Sequence, residues 1–348
     1  MEKDTNTLEG LIVERFVSPE SNEADYTCEK AVPEVRPDSF ESYLGQERVK
    51  ENLKVYVSAS AKLENQLDHV ILHGPPGLGK TTLARIVANE LGVEMHETRG
   101  PAIDRPGDLA GILTSLQPGS VLFIDEIHRL SIKVEEVLYS AMEEYHLDII
   151  VGQAAGARAM RIPIAPFTLI GATTRMSMLS KPMRDRFGIQ ERLAFYDDAS
   201  LSKIVLRSAN LLGISISDDG AAEIARRSRG TPRIANRILR RVWDFTVSMG
   251  KEIISREVAD LVLARQGIDR GGLDRIDRQM MGVISEQYSG GPVGIEALAA
   301  TMNEDRPTIE EVYEPYLVYR GFLTRGPRGR SITVKGQEHL ENLVGIVD

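Results

Sequence analysis

The sequence predicts an α/β fold: a P-loop parallel-sheet domain, then a small all-α lid domain, then a C-terminal winged-helix domain. Three observations carry this. From His69 onward, short apolar runs alternate with longer stretches of helical spacing, the pattern of a parallel sheet covered by helices. A glycine-rich phosphate loop joins the first run to the first such helix. Beyond Gly271-Gly272, helix-like stretches give way to strand, turn and strand.

A chain of 348 residues suggests two or three domains. The expected division is a flexible segment over residues 1–30, a large domain over 31–196, a small helical domain over 197–267 and a winged-helix head over 268–348. The first segment is assigned from its crowded acids, Ser, Asn and Pro and its lack of apolar periodicity.

Val70-Ile71-Leu72 is the first buried strand, and Gly74-Pro75-Pro76-Gly77-Leu78-Gly79-Lys80-Thr81-Thr82 completes a P-loop. Glycines let backbone amides wrap phosphates, Lys80 brings positive charge to the β and γ groups, and the Thr81 hydroxyl suits Mg2+. Leu83, Ile86, Val87 and Leu91 continue with helical spacing, so a helix N-terminus points its partial charge at the nucleotide. The second strand, Val121-Leu122-Phe123-Ile124, ends in Asp125-Glu126. Asp125 is expected in the Mg2+ shell, and Glu126 is expected to polarise the attacking water. His128 reads as structural, because no Cys/His cluster accompanies it.

The third strand, Phe167 to Ala172, runs into Thr173-Thr174-Arg175. Thr174 is either a hydroxyl that reports the γ-phosphate to the sheet or an ordinary turn residue. Arg184-Asp185-Arg186 offers an arginine for another subunit's phosphate or, in the alternative, a surface ion pair. In the small domain, Thr231 and Pro232 mark a helix start that would place Arg233 near phosphate. Trp243 reads as core, and Arg226, Arg227, Arg229, Arg240 and Arg241 read as a solvated or subunit-facing surface. In the head, Phe322 to Arg325 and Arg330 to Val334 read as strands around a turn. Arg325, Arg328 and Arg330 have no acidic neighbour between Gly321 and Val334, so this wing is the expected phosphate contact.

The net charge of −9 argues against a chain that coats nucleic acid uniformly, and leaves room for a focused basic patch. Cys28 is the only cysteine, and neither a leader pattern nor a membrane-length apolar run is read, so a reducing, cytoplasmic setting without a membrane is expected.

Taken together, these residues resemble the RuvB family of AAA+ Holliday-junction branch-migration ATPases from about Val35 to the end. The marks are Arg36-Pro37 before Gly45-Gln46, the P-loop, Phe123 to Leu130, Gly171 to Arg175, Arg184 to Gly188, Arg229 to Arg237, Gly291-Pro292-Val293-Gly294 and Thr324 to Arg330. The resemblance implies an ATP- and Mg2+-dependent hexameric ring (a homohexamer) around duplex DNA. It would drive branch migration of Holliday junctions in recombination, repair and the SOS response, with a RuvA-type partner and a RuvC-type resolvase.

The same resemblance gives Val35 and Arg36 as adenine-side contacts, Gly77, Lys80, Thr81 and Thr82 on the phosphates, and Tyr196 and Arg233 completing the cis site. It gives Arg186 as a trans-acting finger, and Glu143-Glu144-Tyr145 as a stretch near the neighbour's nucleotide. Arg306, Arg325 and Arg330 match DNA contacts, and the segment from about Leu147 to Ile164, with Arg158 and Arg161, matches the hairpin that docks on RuvA. The longer N-terminus, Gly326 and Lys181-Pro182-Met183 depart from the family pattern. A clamp-loader or protein-remodelling ATPase would share the nucleotide site without needing a basic wing, and a transcription regulator would use the head to read bases. Glu126 and Arg186 favour turnover over a passive switch, and arginines without Asn or Gln base readers favour backbone contact.

Overall fold

The computed structural model describes residues 35–151 and 158–344. The expected flexible segment with Cys28, and the tip of the expected hairpin, lie outside the described residues. In chain order the large domain comprises α1 (Glu47–Leu63), β1 (Val70–His73), α2 (Lys80–Leu91), β2 (Met95–Arg99), α3 (Pro106–Ser115), β3 (Val121–Asp125) and α4 (Ile132–Glu144). It continues with the hairpin β4 (His146–Val151) and β5 (Arg158–Pro163), then β6 (Thr168–Thr173), α5 (Lys181–Asp185) and β7 (Ile189–Arg192).

Five strands form one parallel sheet in the order β2-β3-β6-β1-β7. The three apolar runs are its three inner strands. Alternate side chains feed two cores, Val70, Leu72, Phe123 and Ile170 on one face and Ile71, Leu122, Ile124 and Leu169 on the other. Gly171 on β6 is closely packed: a Cβ there would lie 2.9 Å from Ile71 Cδ1 and 3.0 Å from Ile127 Cδ1, so those side-chain ends would have to shift. Strand order decides which loops meet. Because β6 separates β1 from β3, the residues after β6 sit between the P-loop and Asp125-Glu126, at the carboxyl edge where parallel sheets bind ligands.

The lid is all helical: α6 (Asp198–Leu212), α7 (Asp218–Arg226), α8 (Pro232–Ser248) and α9 (Arg256–Arg265). Thr231 caps α8 by accepting from the Ile234 amide at 3.4 Å, with Pro232 in the first turn, as the sequence predicts. Leu201, Val205, Ile234 and Ile238 extend the core of one sheet face, and half-buried Trp243 packs against it. The lid is thereby fastened to the sheet by apolar burial.

The head holds α10 (Arg275–Glu286), α11 (Ile295–Met302), α12 (Arg306–Thr308), a π-helical turn over Ile309–Tyr313, and α13 (Glu314–Tyr319). The antiparallel wing β8 (Leu323–Gly326) and β9 (Gly329–Ile332) and a final helix α14 (Val334–Val344) complete it around a separate core. Among the described residues no helix is long and apolar enough to cross a membrane.

The joint between lid and head overturns one expectation. Arg227 and Arg229, read as surface, are only 1% and 2% exposed. Arg227 pairs with Asp260 and with Glu223, and Arg229 pairs with Asp277 of the head while its guanidinium sits 4.7 Å from the Tyr316 ring centre. Buried cations require such partners, and losing one would leave the other charge stranded. Phe195 stacks 4.7 Å from Tyr319, and Arg175 reaches across from the end of β6 to pair with Glu311 of the head.

Candidate functional site

The sheet edge, the P-loop and the lid enclose a cleft of about 460 Å³. It is lined by Val35, Arg36, Gly77, Lys80, Thr81, Thr82, Asp125, Glu126, Thr174, Tyr196 and Arg233, which the chain brings together from segments far apart in sequence. Gly79, in the left-handed region at φ 96, turns the loop into α2; a Cβ there would lie 2.9 Å from the Tyr43 hydroxyl.

Lys80 is buried, and its Nζ donates to the carbonyls of Gly74 and Pro75, each at 2.9 Å. Burial drives its pKa down to about 8; Asp125 and Glu126 oppose the shift and Arg233 adds to it. A buried ammonium served by neutral carbonyls is electrostatically suited to anionic phosphate. Asp125 Oδ1 accepts from the Glu126 amide at 3.0 Å, and Glu126 turns out of the strand at φ 50, paired with Arg129 at 3.2 Å. His128 Nδ1 lies 2.9 Å from Thr173 Oγ1, which also accepts from the Arg175 amide at 2.9 Å. Burial holds its pKa below the usual histidine value.

At the other end of the cleft, the Tyr43 and Tyr196 hydroxyls lie 2.8 Å apart. Burial raises Tyr43 well above the usual tyrosine value and Tyr196 to about 12. Gln46 clamps the backbone of Ala194 through both its amide and its carbonyl, at 2.6 and 3.2 Å, tying the segment before α1 to the stretch that leads from β7 into the lid. Val35 is fixed beside it by its carbonyl, which accepts from Arg207 at 3.2 Å.

Among the described residues no three His, Cys, Asp or Glu side chains converge on a metal position. The donors at the cleft, Thr81 and Asp125, fit Mg2+, which typically takes one or two protein ligands and completes its shell with phosphate and water.

Sequence reading missed Glu97, Arg99, Arg207, Asn236 and Arg240 in the lining, and Arg240, assigned to a surface, faces the cleft instead. A signal existed on α8: positions 233, 236 and 240 are spaced to share one helix face.

Glu143, Glu144, Tyr145 and Arg186 do not line this cleft. Arg186 pairs with Glu143 at 3.0 Å, and neither Arg184 nor Arg186 forms an ion pair with Asp185 among the described residues. Glu144 approaches His146 at 3.4 Å, and the Tyr145 ring meets Phe167 edge-on.

In the head, Arg306, Arg325 and Arg330 converge on Glu310 at 3.2, 3.2 and 3.0 Å. Arg330 is buried and also pairs with buried Glu314 at 2.9 Å. Burial pushes the Glu310 carboxyl up, but hydrogen bonds from Arg306 and Arg330 outweigh it and hold it below the usual glutamate value. The wing was expected to lack acidic neighbours; the acids come from the preceding helical segment. Arg328 stands exposed at the turn.

Three family models match in succession: the Holliday junction DNA helicase RuvB P-loop domain over residues 35–193, the RuvB AAA lid domain over 196–269 and the RuvB C-terminal winged helix domain over 270–341. The Holliday junction branch migration complex subunit RuvB of Bdellovibrio bacteriovorus is 55% identical, covering 86% of this chain and 91% of its own. That of Paramagnetospirillum magneticum is 54% identical over 94% of this chain and 92% of its own. Among solved structures, the Thermotoga maritima RuvB Holliday junction branch migration motor superposes with a TM-score of 0.80 at 48% identity, covering 88% of this chain and 98% of its own.

Proposed function

We propose a function from one premise: the chain belongs to the RuvB family of Holliday junction branch-migration proteins. It is a DNA motor that hydrolyses ATP to ADP and phosphate and uses the energy to move Holliday junctions during recombination and repair. The observation that carries the reading is the cleft itself, where P-loop, Asp125-Glu126, Thr174 and the lid residue Arg233 meet around one space.

In this reading Lys80, Thr81, Thr82 and the Gly77 backbone orient the phosphates, and Val35, Arg36 and Tyr196 hold the adenine side. Thr174 and Arg233 report the terminal phosphate to sheet and lid. Glu126 polarises the attacking water, and Thr81 and Asp125 would hold Mg2+, which would supply neutralisation of phosphate charge. Arg186 serves the neighbouring subunit's nucleotide, with Glu143, Glu144 and Tyr145 on the same face, so turnover depends on a homohexameric ring. Solved Thermotoga maritima RuvB structures include forms substituted at a lysine, an alanine, a threonine, an arginine and a proline. The substituted positions have the same residue types and mutual spacing as Lys80, Ala172, Thr174, Arg186 and Pro232 here.

The ring encircles duplex arms and contacts their backbone through Arg306, Arg325 and Arg330 without reading sequence. The β4–β5 hairpin docks on a RuvA-type partner, with a RuvC-type resolvase acting on the same junction in the cytoplasm. The test is ATPase and strand dissociation from a synthetic four-way junction, with and without a RuvA-type protein, comparing the wild type with Glu126→Gln. Movement that needs partner and ATP, with a variant that binds nucleotide but turns over about 10² to 10⁴ times more slowly, supports the reading. Turnover without junction movement replaces it with protein remodelling.

A further inference from the structure

We propose that Tyr139 is a positioning residue for Arg186: its ring is the platform on which the guanidinium stands when it serves a neighbouring subunit. The inference rests on the trans role given to Arg186 above. Arg186 follows α5, and its guanidinium carbon lies 4.4 Å from the centre of the Tyr139 ring on α4. Its other contacts come from the terminal nitrogens: one donates to the Pro182 carbonyl at 2.8 Å, and the other pairs with Glu143 at 3.0 Å. Its Nε is buried without a hydrogen-bond partner, and the Tyr139 ring adds an electrostatic support that needs no acceptor.

The ring is itself fixed. The Tyr139 hydroxyl, Glu135 Oε2 and Ser180 Oγ form a triangle with sides of 2.7, 2.8 and 2.8 Å, and Glu135 is buried. Ser180 Oγ also accepts from the Met183 amide at 3.3 Å, capping the helix that presents Arg186. One cluster therefore sets both the platform and the helix that delivers the arginine.

The chemistry separates the contacts by what they must do during turnover. To grip phosphate the guanidinium uses its in-plane N–H groups, and the Pro182 carbonyl and Glu143 compete for some of them. A ring against the guanidinium face competes for none of those donors and can stay in place while they are exchanged. Tyr139 thus limits the arc through which the arginine swings.

The test uses mixed full-length rings. Lys80→Ala subunits donate an arginine without using their own nucleotide site, and Arg186→Ala subunits receive it. ATPase of the mixture, assembled on DNA, reads donation alone. Adding Tyr139→Leu to the donor is expected to lower rescued kcat about five-fold, the loss of one cation–π contact, with KM for ATP unchanged because the receiver's pocket is intact. Adding Tyr139→Phe, which keeps the ring, is expected to retain most of the rescue. Equal rescue by the Leu and parent donors overturns the proposal, as does a Phe donor that fails as badly as the Leu donor. If the parent Lys80→Ala donor rescues nothing, the trans reading of Arg186 is lost and the platform role with it; that control is read before any Tyr139 variant.

Discussion

The nucleotide cleft and the head surface both gather cations, and they hold them in opposite ways. Lys80 rests on two neutral carbonyls, and burial drives its pKa down to about 8. Arg306, Arg325 and Arg330 instead share Glu310, with Glu314 behind Arg330. A cation on carbonyls gains when phosphate arrives. A cation already paired with carboxylate must exchange one anion for another, so its net gain is small and easily screened. Where both meet phosphate, as proposed, the cleft suits tight, specific capture and the head suits a grip that can be released.

The most severe test of the first half concerns what the cleft lacks. If a neighbour must supply the last positive charge, Arg186→Ala should cut steady-state ATPase on DNA by about 10³ to 10⁵. Nucleotide affinity should change little; a loss under tenfold would mean that the cleft hydrolyses unaided.

Acidity separates the two regions next. Nucleotide needs Lys80 charged. Its pKa in the nucleotide-free protein is depressed, so below pH 8 the charge is already present, and above pH 8 binding must take up a proton. ATP affinity should therefore be flat up to about pH 7.5 and weaken about tenfold per unit above pH 8, as expected for uptake of one proton. Lys80→Arg, charged throughout, should remove the bend. Equilibrium titration with a fluorescent ATP analogue checks this, and a wild-type curve flat to pH 9.5 would contradict it.

The smallest effect belongs to the head. Glu310→Gln removes the shared acid while leaving buried Glu314 in place, so duplex affinity should rise a few-fold at low salt and the salt dependence should steepen by about one unit. Unchanged affinity would mean that the three arginines do not meet phosphate.

Much of this was readable in the chain, for identifiable reasons. β1, β3 and β6 are inner strands, buried on both faces, and announce themselves as apolar runs. β2 and β7 went unread because they are edge strands, where Met-His-Glu-Thr-Arg and Ile-Gln-Glu-Arg need bury only part of each residue. The P-loop and Asp125-Glu126 are contiguous motifs and were placed correctly in one cleft. What was illegible is whatever a partner distant in sequence decides. Arg227 and Arg229 look like solvated cations until Asp260 and Asp277 arrive from 33 and 48 residues away. The wing looked uniformly basic until Glu310 and Glu314 folded against it.

Glu310 and Glu311 are adjacent on the π-helical turn Ile309–Tyr313. One holds the wing arginines; the other holds Arg175, the residue after Thr174 at the lip of the cleft. That turn carries two ion pairs side by side, one facing the wing and one facing the lip of the cleft. Between the place where a phosphate would be sensed and the place where a DNA strand would be held, the molecule interposes one turn of backbone rather than the width of a domain.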